Sequence, residues 1–149
     1  MEAKLTKLTT ITIKNNHLYC GDETSDNPIE IKVNNNEYSV YQLEGEMLFF
    51  GKRTIALAII SKQMENHVKQ YVDAFYKNTI AVADEYYKIP VDTGQLMITN
   101  DMITDNQKIN VSTGFGDGNY FSYVFSIEGE EQLVMYDFMI FNEPITVVE

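Results

Sequence analysis

Short runs of β-branched and aromatic residues, each ended by an asparagine- or glycine-rich turn, recur along most of this chain of 149 residues. Residues 29–33 and 38–43 alternate apolar and polar side chains, as half-buried strands do, and the three asparagines between them predict a hairpin. The run from Thr54 to Ile60 is apolar on both faces, which is typical of a central strand covered on both sides. A chain divided in this way is expected to fold mainly into antiparallel strands.

The pattern changes to helical spacing at about residues 62–77. Apolar residues recur on one face from Met64 to Phe75 with polar residues between them, which predicts one amphipathic helix. A second helical turn is predicted from Thr79 to Tyr87, since Pro90 forbids its continuation. Strand-like runs resume at residue 91.

Two β-rich parts flank this helical segment, and each contains a turn followed by a tyrosine that opens a strand, at residues 35–41 and 117–123. We therefore predict an α+β, mostly β fold. It would be an antiparallel two-sheet sandwich or half-open barrel of two similar β-units, with the amphipathic helix between them. The units span about residues 5–60 and 91–148, and the helical segment spans about 61–88. Because no stretch is rich in proline, glycine and serine, we expect a single domain over residues 1–149.

The charge of the chain is strongly acidic, since 22 acidic and 11 basic residues give a formal net charge of -11. Lys108 is the last basic residue, and seven acids follow it. A negative field repels phosphate backbones and anionic lipids, so we expect neither nucleic acid nor membrane as a partner. The same field attracts a basic protein surface. Acidity also serves solubility alone, and that alternative stays open.

The single cysteine, Cys20, excludes an intramolecular disulfide framework and a zinc site of several cysteines. No apolar run approaches the ~20 residues that span a bilayer, and residues 1–7 lack the apolar core of a signal peptide. These features predict a soluble, cytoplasmic protein. No motif in the chain calls for a cofactor.

Four aspartates, three of them within two residues of a glycine, are the most conspicuous candidates for a site. Asp22, Asp92, Asp101 and Asp117 could converge as oxygen ligands of a hard cation such as calcium, or could accept backbone hydrogen bonds in tight turns. Their spacing is not that of an EF-hand, so we favour the turns and predict no metal site. The glycines expected to shape these turns are Gly21, Gly94, Gly114, Gly116 and Gly118.

No residue stands out as catalytic. His17, His67 and Cys20 accompany no Gly-x-Ser-x-Gly elbow, and the glycine-rich segment 114–118 leads into a strand and has no following lysine, unlike a phosphate loop.

Tyrosines of the last strands are candidates for contacts with a partner. The chain has ten tyrosines, eight phenylalanines and no tryptophan. Tyr120, Tyr123 and Tyr136 are predicted as partner-binding residues, and strand alternation is expected to align Phe121, Tyr123 and Phe125 on one face. Packing of these rings in the core is the alternative.

Five short motifs give the chain a resemblance to a known family. They are Gly21-Asp22, Arg53–Ala56, Val91–Gly94, the Gly-x-Gly-Asp-Gly-x-Tyr segment Gly114–Tyr120, and Asp137-Phe138. In order and rough spacing they resemble a bacterial and phage-associated family known as domain of unknown function 4241, over about residues 18–141. Two positions where relatives often carry Asp-Pro have other residues here. The resemblance implies a β-rich fold and no established activity.

These observations together favour a non-enzymatic protein-binding module that engages a basic protein partner. Immunity to a toxin or phage counter-defence is a concrete version of this hypothesis. The alternative is a β protein that binds a small ligand or metal, with hydrolytic activity. An edge strand near residues 145–148 could also pair two copies of the chain into a homo-oligomer.

Overall fold

The computed structural model describes residues 1–101 and 108–149, and this part of the chain forms eleven strands and one helical segment. The strands are β1 (Glu2–Ile13), β2 (His17–Asp22), β3 (Ile29–Lys32), β4 (Asn36–Met47), β5 (Gly51–Ser61), β6 (Glu85–Val91), β7 (Gln95–Thr99), β8 (Ile109–Ser112), β9 (Gly118–Glu128), β10 (Glu131–Asp137) and β11 (Thr146–Val148). A 3₁₀ helix, Lys62–His67, leads directly into α1, Val68–Tyr76, as the periodicity predicts. Within these residues, no helix is long and apolar enough to cross a membrane.

The strands form two sheets that pack as a sandwich. The larger sheet has the order β11-β1-β4-β5-β10-β9-β6, and the smaller has the order β3-β2-β7-β8. The pairing of β1 with β11 is parallel, and the other pairings are antiparallel. One apolar core lies between the sheets, and a second lies between the larger sheet and the helical segment. Strand β5 is therefore buried on both faces, which confirms the prediction of a covered central strand.

The two similar β-units of the prediction are confirmed, and they are related by an approximate two-fold axis. Strands β1–β5 and β6–β10 follow the same course, each giving three strands to the larger sheet and a hairpin to the smaller. The halves meet where β5 pairs with β10 and where β2 pairs with β7. The register of each of these two pairings is symmetric. In the β5–β10 pairing, Ile60 lies opposite Leu133, and the equivalent residues of the other half, Asp137 and Ala56, lie opposite each other.

The first turn of each unit shows the same symmetry in detail. Asn16 and Gly94 occupy equivalent positions, and both have left-handed backbones with φ of 61° and 76°. The carbonyl of Asn16 accepts from the N–H of Val33 at 3.1 Å, and that of Gly94 accepts from the N–H of Thr113 at 3.0 Å. The two sequences thus build one turn from different residues, because asparagine and glycine both tolerate this conformation.

The predicted hairpin of residues 29–43 is wrong. Strand β3 pairs with β2 in the smaller sheet, whereas β4 pairs with β1 and β5 in the larger sheet. The asparagine turn carries the chain from one sheet to the other. It is held there by Asn34, whose backbone N–H donates to Gln132 Oε1 at 2.7 Å and whose Nδ2 donates to the Glu130 carbonyl at 3.0 Å.

The second predicted helical turn, Thr79–Tyr87, is also wrong. The helix ends at Tyr76, and Asn78 adopts a left-handed backbone with φ of 55°, which stops helical hydrogen bonding. The helical segment is therefore 62–76 and not 61–88, and β6 begins at Glu85. Pro90 lies in this strand, which is at the edge of the sheet, where proline is tolerated better than in a central strand.

Candidate functional site

Asp22 is a structural carboxylate that fastens the end of β2 to the turn between β6 and β7. Its Oδ1 accepts from the backbone N–H of Asp92 at 2.9 Å and from the N–H and hydroxyl of Thr93, both at 2.8 Å. Its Oδ2 accepts from the N–H of Thr24 at 3.0 Å and from its hydroxyl at 2.5 Å. Burial by itself would raise the pKa of Asp22, but these hydrogen bonds outweigh it and hold the pKa well below its usual range.

The other aspartates do not gather around Asp22. Asp92 contacts Asp22 only through its backbone N–H, and the side chains of Asp92 and Asp117 are exposed. In residues 1–101 and 108–149, no three histidine, cysteine, aspartate or glutamate side chains are close enough together to hold a metal ion. The aspartate turn at residue 22 thus has a structural role, while the roles of Asp92 and Asp117 as binding residues stay predictions.

Two of the predicted glycines are required by close backbone packing. Gly114 has φ of 78°, and a Cβ there would lie 2.2 Å from the carbonyl oxygen of Thr54 on β5. Gly94 has φ of 76°, and its Cβ would lie 3.2 Å from Cα of Gly116. The turns after β6 and β8 therefore press against each other and against β5, at one end of the sandwich.

The remaining glycines behave differently from one another. Gly116 has a left-handed backbone in the same turn, and Gly118 begins β9. Gly21 lies inside β2, paired with Met97, so the prediction that it forms a turn is wrong. The strand continues two residues beyond its apolar run, which ends at Cys20, because Gly21 and Asp22 pair with Met97 and Leu96.

Two of the three predicted partner-binding tyrosines are buried and cannot serve as surface anchors. Tyr136 lies wholly inside the core, where burial raises its pKa well above the usual value. Tyr120 is buried and donates its hydroxyl to the carbonyl of Gly116 at 2.8 Å. Both predictions fail because these side chains point toward the smaller sheet.

Tyr123 points to the opposite face and remains partly exposed. Its ring centroid lies 6.4 Å from those of both Phe121 and Phe125, which confirms the predicted alignment on one face. Tyr123 also lines a groove of about 570 Å³ between α1, the segment after it and strand β9. We call this feature the aromatic groove. Its lining residues are Phe75, Tyr76, Asn78, Ile80, Ala81, Val82, Ala83, Tyr86, Tyr123, Phe125 and Asp137.

A second surface feature, absent from the sequence predictions, is an apolar patch beside the glycine turns. Leu48 and Phe49 form the tip of the β4–β5 hairpin, and each is 86 % exposed. Behind them, Phe50 stacks on Phe141 with centroids 4.8 Å apart, and Ile140 is 59 % exposed. We call this surface the phenylalanine patch, which comprises Leu48, Phe49, Phe50, Phe115, Ile140 and Phe141.

The glycine turn after β8 supports the phenylalanine patch. The ring of Phe115 contacts that of Phe141 edge-on, with centroids 5.8 Å apart. Phe115 stands between Gly114, which packs on Thr54, and Gly116, whose carbonyl holds the Tyr120 hydroxyl. The sequence signal for this patch is the run Met47–Phe50, because a connection between two strands is ordinarily polar.

Comparison with known proteins gives no match to a family model, a curated protein or a solved structure. The resemblance to domain of unknown function 4241 therefore stays a prediction. Its most specific motif, Gly114–Tyr120, has a local structural basis, since the first glycine packs on β5 and the final tyrosine closes the turn.

Proposed function

We propose that this protein is a non-enzymatic protein-binding module that docks on a basic protein, with the phenylalanine patch as the apolar centre of the interface. The exposure of Leu48 and Phe49 is the observation that carries the proposal. Burial of apolar surface is favourable by about 25 cal/mol per Å², and a large contiguous apolar patch on a protein surface commonly marks an interaction site. A partner that covers the hairpin tip would recover this free energy.

The geometry of the patch suits binding because its base is already ordered. The ring of Phe141 contacts the rings of both Phe50 and Phe115, so part of the freedom that binding would restrict is already restricted. Leu48 and Phe49 project beyond this base and can enter a pocket of the partner. Aromatic anchors on a rigid support are typical of the residues that contribute most to protein–protein affinity.

The net charge of -11 favours a basic partner. Charge complementarity raises the rate of encounter and disfavours acidic partners, while the apolar centre supplies most of the affinity. Immunity to a toxin or phage counter-defence would follow if the partner's basic surface is its active site, because the docked module would then occlude it.

The test compares the wild type with the double variant Leu48→Ser/Phe49→Ser. The matched control is Leu8→Ser, which removes an exposed apolar side chain that lies outside both the phenylalanine patch and the aromatic groove. Immobilised proteins are incubated with lysate of the native host at low and high salt, and retained proteins are quantified by mass spectrometry. We expect one basic protein to bind stoichiometrically to the wild type and the control, to be lost from the double variant, and to be weakened by salt.

Two outcomes would contradict the proposal. Equal retention by the double variant would show that the patch is not the interface. Sedimentation provides the second check. If the wild type dimerises and the double variant is monomeric, the patch binds a second copy of the chain instead of a basic partner. The alternative of a small-ligand or metal-binding protein stays a prediction.

A further inference from the structure

The aromatic groove combines apolar walls with a single charged group. Its lining includes the rings of Phe75, Tyr76, Tyr86, Tyr123 and Phe125, which come from α1, β6 and β9. Among the described residues that line the groove, Asp137, the last residue of β10, is the one carboxylate, and none is a lysine, arginine or histidine. The groove is thus a partly enclosed site with a negative charge and aromatic faces.

The carboxylate of Asp137 is held in place but not neutralised. Its Oδ1 accepts from the hydroxyl of Tyr76 at 3.0 Å and from the backbone N–H of Met139 at 3.1 Å. In the part of the chain that the structure describes, Oδ2 accepts no hydrogen bond and no basic side chain forms an ion pair with Asp137. Burial raises the pKa of Asp137, which reflects the cost of keeping an unpaired charge there.

The aromatic rings around the carboxylate are arranged to accept a cation. The centroid of Phe75 lies 5.5 Å from that of Tyr123 and 5.9 Å from that of Phe125. Tyr86 pairs directly with Tyr123 across strands β6 and β9, and its side chain is 68 % exposed at the mouth. Ring faces attract a cation within about 6 Å, and the alkyl stem of a basic side chain packs well on apolar walls.

We infer that the aromatic groove receives a lysine or arginine side chain from a polypeptide partner, with its cationic end at Asp137. This inference rests on the proposed function, in that it supplies a second contact for the basic partner. The aromatic groove lies close to the phenylalanine patch, which favours a polypeptide ligand over a free small cation. Asp137 lies three residues from Ile140 of the phenylalanine patch, a distance of at most about 11 Å between Cα atoms, so one partner can cover both.

Among the described residues, no charged side chain near the groove forms an ion pair with Asp137. Near its mouth, Asp84 accepts from the hydroxyl of Ser126, and Glu85 accepts from the hydroxyl of Tyr87. Lys77 is paired with Asp73 at 2.8 Å. Lys88 lies on β6 opposite Phe121, two residues beyond Tyr86 along the strand.

The test is an NMR titration of the isotope-labelled protein with short glycine-flanked peptides. One peptide contains a single arginine and its matched control contains citrulline, while a second pair contains lysine and norleucine. We expect the cationic peptides alone to shift the amide signals of Tyr86, Tyr123 and Asp137. We expect Asp137→Asn and Tyr86→Ala to weaken binding about tenfold, the scale of one charge-assisted contact. The exposed Asp26→Asn, outside the groove and outside the predicted binding residues, serves as the control and should bind like the wild type.

Several results would overturn the inference. These are equal shifts with the neutral peptides, unchanged affinity in Asp137→Asn, or no shifts up to about 10 mM peptide, where millimolar binding is visible. If agmatine or tetramethylammonium binds in the groove and neither cationic peptide does, the ligand of the groove is a small organic cation and not a polypeptide. The Leu48→Ser/Phe49→Ser variant should titrate normally, so a failure of the phenylalanine patch and a failure of the aromatic groove are distinguishable.

Discussion

The side chains of Tyr38 and Tyr120 form the same hydrogen bond in the two halves of the molecule. Tyr38 donates its hydroxyl to the carbonyl of Asn34 at 2.6 Å, and Tyr120 donates to that of Gly116 at 2.8 Å. Each acceptor lies four residues before its tyrosine, and both tyrosines are buried between the sheets. Each bond closes the turn that brings the chain back from the smaller sheet to the larger one.

Removal of either hydroxyl should destabilise the protein by a similar amount. Tyr38→Phe and Tyr120→Phe each remove one hydrogen bond to a turn carbonyl, which costs about 1 kcal/mol of the free energy of unfolding. Urea denaturation measures the effect, and the double variant should show the sum because the two sites are far apart. Tyr19→Phe, on the exposed side of β2, is the control. A loss confined to one tyrosine would argue against equivalent turns.

Asp22→Asn should be destabilising at neutral pH and nearly neutral in strong acid. The amide replaces one acceptor oxygen with a donor that faces N–H and hydroxyl donors, at a cost of about 2–3 kcal/mol. The folded-state pKa lies below the unfolded one, so this carboxylate stabilises the wild type above the unfolded pKa. That stability is lost as the pH falls through the folded pKa. Denaturation series between pH 2 and pH 7 should show the two proteins converging in acid.

Gly114→Ala should destabilise the protein far more than Gly116→Ala. Both positions have left-handed backbones, so both variants carry the same conformational strain of about 1 kcal/mol. Only at Gly114 does the new methyl group meet the carbonyl of Thr54 at 2.2 Å, which forces the turn away from β5. We expect a further loss of at least about 2 kcal/mol at Gly114, measured by thermal unfolding. Equal losses of stability in the two variants would show that the turn at Gly114 can move away from β5 at little cost.

Asp137→Asn should stabilise the protein at neutral pH. The asparagine oxygen can still accept from Tyr76 and Met139, while the buried unpaired charge is removed. Because burial raises the folded-state pKa of Asp137, its ionisation costs stability as the pH rises through that pKa. The variant should therefore melt above the wild type at pH 7, and the difference should vanish below the ordinary pKa of aspartate. A less stable variant at pH 7 would mean that the carboxylate is structural.

The alternation of side chains predicts most strands because it reports burial on one face, and this holds for β3 and β4 alike. Alternation does not report which strand is the neighbour. Residues 29–33 and 38–43 therefore look like one hairpin, although the contacts of Asn34 with Glu130 and Gln132 separate them into different sheets. Those contacts join residues nearly a hundred positions apart, so no local pattern contains them.

The candidate sites show the same limit. Strand alternation correctly aligns Tyr123 with Phe121 and Phe125, but the direction in which Tyr120 and Tyr136 point depends on where the second sheet lies. The carboxylate of Asp137 is held by a hydrogen bond from the hydroxyl of Tyr76 on α1, and these two residues are 61 positions apart in the sequence. The phenylalanine patch is the exception, because the apolar hairpin tip at residues 47–50 is visible in the sequence itself.

The symmetric pairings between the two halves of the sandwich have a consequence for fragments of this chain. A polypeptide that stops after the helical segment would present the inner edges of β5 and β2 without the strands that complete them. Because each of these pairings is symmetric in register, a second identical fragment offers the complementary strands in the correct direction. Residues 1–78 expressed alone should therefore assemble in pairs, each copy taking the place of the missing half.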